Sequence, residues 1–296
     1  VTEKEIEWPT LALLVATYLT WGLGTALWAQ APWVSVILTG VAIAQFSSLQ
    51  HEALHGHPFR SAALNEALVF PAFALFIPYR RFVTTHLQHH YDPALTDPHD
   101  DPESNFLEPA TWASLSKPVQ ILFRLNNTLL GRILIGPILG TGLWLWNDLK
   151  LIAKGDAKIA RDWGMNLLGL VPVLWWLHDR MPLTAYLGAV YLGFGLLKIR
   201  TFLEHRAHEA HRARTVVIED RGPLSLLFLN NNFHVVHHMH PQVPWYKLPA
   251  HYAARKDHFQ KRNDHYLYRS YGEVFRRYFL RAKDPVAHPH WPVRRD

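Results

Sequence analysis

Three clusters of histidine carry the chemistry this sequence can do: His51-Glu-Ala-Leu-His55, His86-Leu-Gln-His89-His90 and His234-Val-Val-His237-His238. On a helix, residues three and four apart share a face, so each cluster can present two or three imidazoles together. Eight histidines in three short stretches, two of them of the same HxxHH form, exceed what chance would gather from 20 histidines among 296 residues. Neutral imidazole suits iron, zinc, copper and nickel alike, so ligand number has to discriminate. Zinc usually takes four ligands, or three and a water when catalytic, whereas eight or more histidines in one place point to two metal ions.

Composition narrows the classes. The sequence has no Cys, which excludes disulfides, iron–sulfur clusters and thiolate nucleophiles, so electrons must come from a separate carrier. Mean hydropathy is only −0.06, but the apolar residues are gathered into blocks between polar, His-rich stretches. Residues 11–30 and 33–50 carry no charge, are joined by Ala31-Pro32, and approach the ~20 residues that cross a bilayer core. Residues 164–178 and 183–202 predict a second hairpin turning at 178–182. Residues 68–79 are too short to span and 129–146 are interrupted by Arg132 and Pro137, so both are expected to be interfacial or re-entrant.

These segments predict an all-α integral membrane protein, with about four transmembrane helices in two hairpins. A cytoplasmic helical cap, residues 51–128 and 203–282, would hold the di-metal site within a single domain over 1–296. Tryptophans near the block ends, among them Trp8, Trp21, Trp33, Trp163, Trp175 and Trp176, suit the headgroup region, with core packing the alternative for some. Of the 30 Lys and Arg residues only Arg180 falls at the hairpin tips, which orients the His clusters toward the cytoplasm. The acidic stretch before Trp8, with no small-residue cleavage site after it, reads as leading into a retained span rather than a signal peptide.

Taken in order, HxxxH, HxxHH and a final HxxHH beyond a long apolar section resemble the membrane fatty acid desaturase superfamily, which includes desaturases, hydroxylases and carotenoid ketolases. The resemblance covers most of the chain. It implies a non-haem di-iron centre with His51, His55, His86, His89, His90, His234, His237 and His238 as ligands, and O2 as co-substrate. It also implies a ninth ligand after the last span, where His205 stands, with His208 as the fallback. The stretches Tyr91–Pro98 and Pro241–Pro249 resemble bacterial members, the second being close to carotenoid ketolases as well, which implies a bacterial inner membrane. The three-residue interval of the first box is shared by acyl-lipid desaturases and ketolases.

Taking hydrogen from an unactivated methylene demands a strong oxidant, and imidazoles survive beside one where thiolates do not. Carboxylates are then expected to fix the ring tautomers by accepting from the outer N–H. Candidates are Glu52, Asp92, Asp97, Glu204, Asp100 and Asp101, each with a turn or capping role as the alternative. Asn231, in Asn230-Asn-Asn232, either holds a metal-bound water or belongs to the cap of the helix bearing His234, and capping is favoured. Desaturation of a long, lipid-linked acyl chain is favoured over hydroxylation or ketolation of a carotenoid or other apolar substrate. A membrane zinc protein would leave half the boxes unexplained.

The expected partners are an apolar substrate from the bilayer and a separate ferredoxin-like carrier with its reductase. The basic run from Arg255 to Lys283 is not a nucleic-acid module. Its stretch from Tyr271 to Arg281 has the spacing of an amphipathic helix against headgroups, and residues 283–296 are expected to be poorly ordered.

Overall fold

A computed structural model describes residues 6–293. The chain is mostly helical and divides into two compact units, one of residues 1–83 with 137–197 and the other of 84–136 with 198–296.

The first unit contains the apolar blocks as helices Trp8–Ala26, Pro32–Leu54, Ala157–Leu177 and most of Leu183–Thr201. Pro9 and Pro32 lie at helix starts, where the missing N–H has no intrahelical partner to lose. Asp156 caps the third helix by accepting from Ile159 N at 3.0 Å, so that helix begins well before residue 164. Small residues allow close crossings. A Cβ at Gly40 would lie 2.9 Å from the Ala189 carbonyl oxygen, and one at Gly193 would lie 2.9 Å from that of Gly40. In an unhindered helix Gly→Ala gains roughly 1 kcal/mol. Gly40→Ala is expected to reverse that sign and cost about 1–3 kcal/mol through overpacking, seen as a lower thermal midpoint by circular dichroism.

Four-span topology does not survive. Among the described residues only Pro32–Leu54, of 23 residues, is long and apolar enough to cross a membrane, and 56% of its most apolar window is buried inside the protein. The other helices are diluted by Thr, Gly and aromatic residues or carry charge: Ala157–Leu177 contains Lys158, Arg161 and Asp162. Asp148, within Gly136–Ala153, is buried and accepts from Arg81 Nε at 2.9 Å and Trp163 Nε1 at 3.0 Å. One such helix does not support a multi-span integral protein, and the assignment to a bacterial inner membrane with a cytoplasm-facing site falls with it.

Trp21 is an interior anchor, whereas Trp8, Trp33, Trp146 and Trp175 are exposed. Trp21 stacks on Phe73 with centroids 4.2 Å apart and donates to Tyr186 Oη at 3.0 Å, and Tyr186 donates onward to the Phe73 carbonyl at 2.8 Å. Residues 68–79, expected to be interfacial or re-entrant, are packed within this unit. Ala72 N donates to Gly169 O at 3.1 Å and Asn166 Nδ2 to Leu75 O at 2.8 Å. The block 129–146 is broken into helices Leu129–Leu134 and Gly136–Ala153.

The second unit is built from short helices around a two-stranded parallel ladder that pairs Val217 with Leu267 and Ile218 with Tyr268. Val217, Phe233, Val235, Val236, Leu248, Tyr252 and Phe259 form its core. Helix Tyr271–Tyr278 buries Tyr271, Val274 and Tyr278, and Tyr278 meets Phe202 at 5.9 Å. Much of the apolar face proposed for headgroups is therefore spent on the protein itself. The segment expected to be poorly ordered also packs as far as it is described. Leu107 pairs with Ala287, and buried His288 donates from its backbone to Leu107 O at 2.8 Å; residues 294–296 lie outside the described residues.

Candidate metal centre

The second box occupies the last turn of helix Tyr79–His89. His90 N donates to His86 O at 3.1 Å, so helical spacing extends through His90 and turns 86 and 90 to one side. The third box forms the six-residue helix His234–Met239. Val235 and Val236 are buried in the core of the unit, which commits His234, His237 and His238 to the opposite face. Leu229 and Asn230, both with φ 53°, turn the chain sharply into this helix through the left-handed region. His205 arrives on extended chain, in an antiparallel bridge to Thr215.

Seven imidazoles of this unit converge as two neighbouring sets. The ligand nitrogens of His89, His205, His234 and His238 all lie within 4.8 Å of one another, as do those of His86, His90 and His237. His90 and His238, one from each set, stack with centroids 4.3 Å apart. His51 and His55 belong to the first unit, on and just after helix Pro32–Leu54, with their rings 4.9 Å apart. His208 stays outside both sets, accepting from Ala210 N at 3.1 Å.

The outer ring nitrogens show what the inner ones can do. His86 Nδ1 donates to Glu103 at 2.8 Å, His89 Nδ1 to Asp101 at 2.8 Å and His238 Nδ1 to Asp92 at 3.1 Å. His234 Nδ1 lies 3.0 Å from Asn231 Oδ1, and Asn231 Nδ2 donates to Glu204 at 3.0 Å. A carboxylate only accepts, so each of these rings carries its hydrogen on Nδ1 and, when neutral, turns a bare Nε2 lone pair inward. Inner nitrogens nevertheless approach closely: His89 to His205 at 2.9 Å, His205 to His234 at 3.1 Å, His86 to His90 at 3.0 Å and His90 to His237 at 3.2 Å. Each such pair needs a hydrogen or a cation between its two nitrogens. His238 Nε2 is buried with no hydrogen-bond partner. The donor set fits metal ions.

Electrostatics agree. Burial, followed by neighbouring positive charge, pushes His205 and His234 well below the usual imidazole range, and His238 is lowered by burial against the opposing pull of Asp92. Neutral rings are the ligand form. Burial alone would lower His89, but Glu103 and Asp101 outweigh it and raise it to about 9. The same carboxylates would favour a metal cation there. Glu103 is held well below the ordinary carboxylate range because His89 and His86 outweigh its burial.

The proposed carboxylate partners separate cleanly. Asp92 and Asp101 bind ring nitrogens directly, and Glu204 acts through Asn231 while pairing with Arg200 at 2.9 Å. Glu52 is 3.9 Å from His51 Nδ1, beyond hydrogen-bond reach. Asp97 accepts from the backbone of His99 and Asp100 at 2.9 and 3.1 Å, which is a turn role. None of the three asparagines caps the third-box helix, whose N-cap is Phe233 without a side-chain bond. Glu103 was not singled out; its only signal was the acidic run directly after the second box. Asp101→Asn or Glu103→Gln is expected to weaken metal affinity about 10–100-fold, measured by competition with a chelator.

A helical protein with seven imidazoles gathered in two sets, four of them backed by an acceptor at Nδ1, is an oxidoreductase of the histidine-box type. The chain belongs to the fatty acid desaturase family, whose sequence model matches residues 26–270. It is 30% identical over 227 residues to the beta-carotene ketolase of Paracoccus sp. (strain N81106 / MBIC 01143), covering 72% of this chain and 75% of that one.

Proposed function

We propose that this protein is an O2-dependent oxygenase that inserts oxygen into a carotenoid or a similarly long apolar substrate, using two non-haem irons. The observation that carries this reading is the similarity to a beta-carotene ketolase over 75% of that enzyme's length, on a chain with the full series of histidine boxes. Acyl desaturation becomes the second reading.

His89, His205, His234 and His238 would hold one iron and His86, His90 and His237 the other, and the family pattern implies His51 and His55 as further ligands. Irons so held supply the activation of O2 that C–H oxidation requires. Asp92, Asp101 and Glu103 hold the Nδ1–H of His238, His89 and His86, keeping each Nε2 aimed inward, and Asn231 with Glu204 does the same for His234. Neutral ligands leave the metal charge to be balanced by these carboxylates, which favours the ion without occupying its coordination positions. Electrons would come from a separate carrier and its reductase.

Expression in cells that make β-carotene, beside the His238→Ala variant, tests the reading. A pigment that has gained oxygen and lost two hydrogens per site, absent from the variant, is the expected result. A new double bond in acyl lipid with unchanged pigment would overturn it in favour of desaturation.

A further inference from the structure

Positive charge is concentrated on one stretch of the second unit. Residues 247–283 hold ten Lys and Arg against three Asp and Glu, in a chain whose formal net charge is +6. Arg255, Lys256 and Lys261 are exposed. Lys256 is partly offset by Glu219 at 2.6 Å, whereas Arg255 and Lys261 have no carboxylate at ion-pair distance among the described residues. Arg262, on the same helix Lys256–Arg262, reaches inward. Its Nη2 donates to Asp92 Oδ2 at 3.0 Å, and Asp92 Oδ1 accepts from His238 Nδ1 at 3.1 Å. Two hydrogen bonds thus connect this cationic surface to an imidazole of the metal-binding set.

We propose that the surface formed by Arg255, Lys256, Lys261 and Arg262 is the docking site of a small acidic one-electron carrier protein. The proposal rests on the oxygenase reading, whose reaction needs electrons that a sequence without Cys has no iron–sulfur group to store. For each oxygen inserted, R–H + O2 + 2e⁻ + 2H⁺ gives R–OH + H2O. The carrier therefore docks twice, losing one electron and passing from reduced to oxidised form each time. Charge complementarity suits such a short-lived encounter, because it accelerates association without requiring a large apolar interface.

A lipid surface is the less suitable occupant. Helices that lie on membranes combine basic residues with exposed apolar anchors, and residues 247–269 expose no large hydrophobic side chain among those described. Such anchors appear farther on, where Phe279 and Leu280 are 41% and 75% exposed beside Arg276 and Arg281.

The test uses the full chain and a plant-type [2Fe–2S] ferredoxin as probe, with the dissociation constant measured at low and high ionic strength. Arg255→Glu/Lys261→Glu is expected to weaken ferredoxin binding about tenfold or more at low salt. It should slow ferredoxin-driven turnover in proportion, leaving iron content and dithionite-driven turnover unchanged. Arg276→Glu/Arg281→Glu should leave the ferredoxin dissociation constant unchanged. The proposal is overturned if the first variant binds ferredoxin as the parent does, if salt has no effect, or if that variant loses only binding to phosphatidylglycerol vesicles. Failure of the oxygenase reading looks different: no dithionite-driven oxygenation by the parent protein, while salt-sensitive ferredoxin binding and its loss in the variant persist.

Discussion

Replacing His238 with alanine is expected to end product formation and to lower the iron held per chain by about one ion or more, with little loss of folded protein. His238 stands where the two histidine sets meet, stacked on His90 at 4.3 Å and 5.3 Å from the ring of His89. Its Nδ1 is engaged by Asp92 and its Nε2 has no hydrogen-bond partner, so the inner nitrogen is available for ligation and is not used in hydrogen bonding within the fold. Removing it creates a small cavity at the end of a short helix whose core contacts come from Val235 and Val236. Metal analysis of the purified variant separates loss of ligation from loss of fold, and circular dichroism supplies the control. Retention of full iron content and normal product by His238→Ala would defeat the assignment of this ring as a ligand.

Arg214→Met is expected to destabilise the protein by about 3–5 kcal/mol and to weaken the metal site indirectly. Arg214 is 1% exposed. Its guanidinium donates to the carbonyls of His208, Pro93, Leu95 and Glu209 at 2.8, 3.2, 2.9 and 3.1 Å. It thereby ties the loop after the second box to the turn that follows His205. Methionine fills much of the volume but leaves the four carbonyls without donors, and the buried one of Leu95 costs about 1–3 kcal/mol before relaxation. Lysine should recover less than half of the loss, because one ammonium cannot reproduce the planar fork. Asp92 lies in the tethered loop, so iron affinity should fall alongside stability. Urea denaturation provides the measurement, and a parental midpoint for Arg214→Met would refute the role assigned to this tether.

The ligand candidates were legible because each box is a local pattern. Intervals of three and four put His86, His89 and His90 on one helical turn, and the same holds for His234, His237 and His238, whatever surrounds those turns. His205 was placed by resemblance, and the structure brings it into the four-histidine set. Asp92 was chosen for proximity to the second box but holds His238 of the third, a pairing that spacing does not show. Glu103 reaches His86 only because the Pro-rich segment after the box doubles back, and in sequence that segment looks like an ordinary polar turn.

By itself, the sequence determined which side chains can bind metal, the absence of any thiol chemistry and the mostly helical character of the chain. Only the tertiary structure decided how seven of those imidazoles divide into two sets, which acceptors sit behind four of the rings, and how the apolar blocks are covered. The physical reason is range. Helical periodicity is set by contacts within one turn, whereas a carboxylate's partner depends on where a distant loop is held, here by Arg214. An apolar helix carries the same signal whether protein or lipid surrounds it, which is why Trp21 and Phe73, stacked inside the first unit, had read as parts of segments meeting a bilayer.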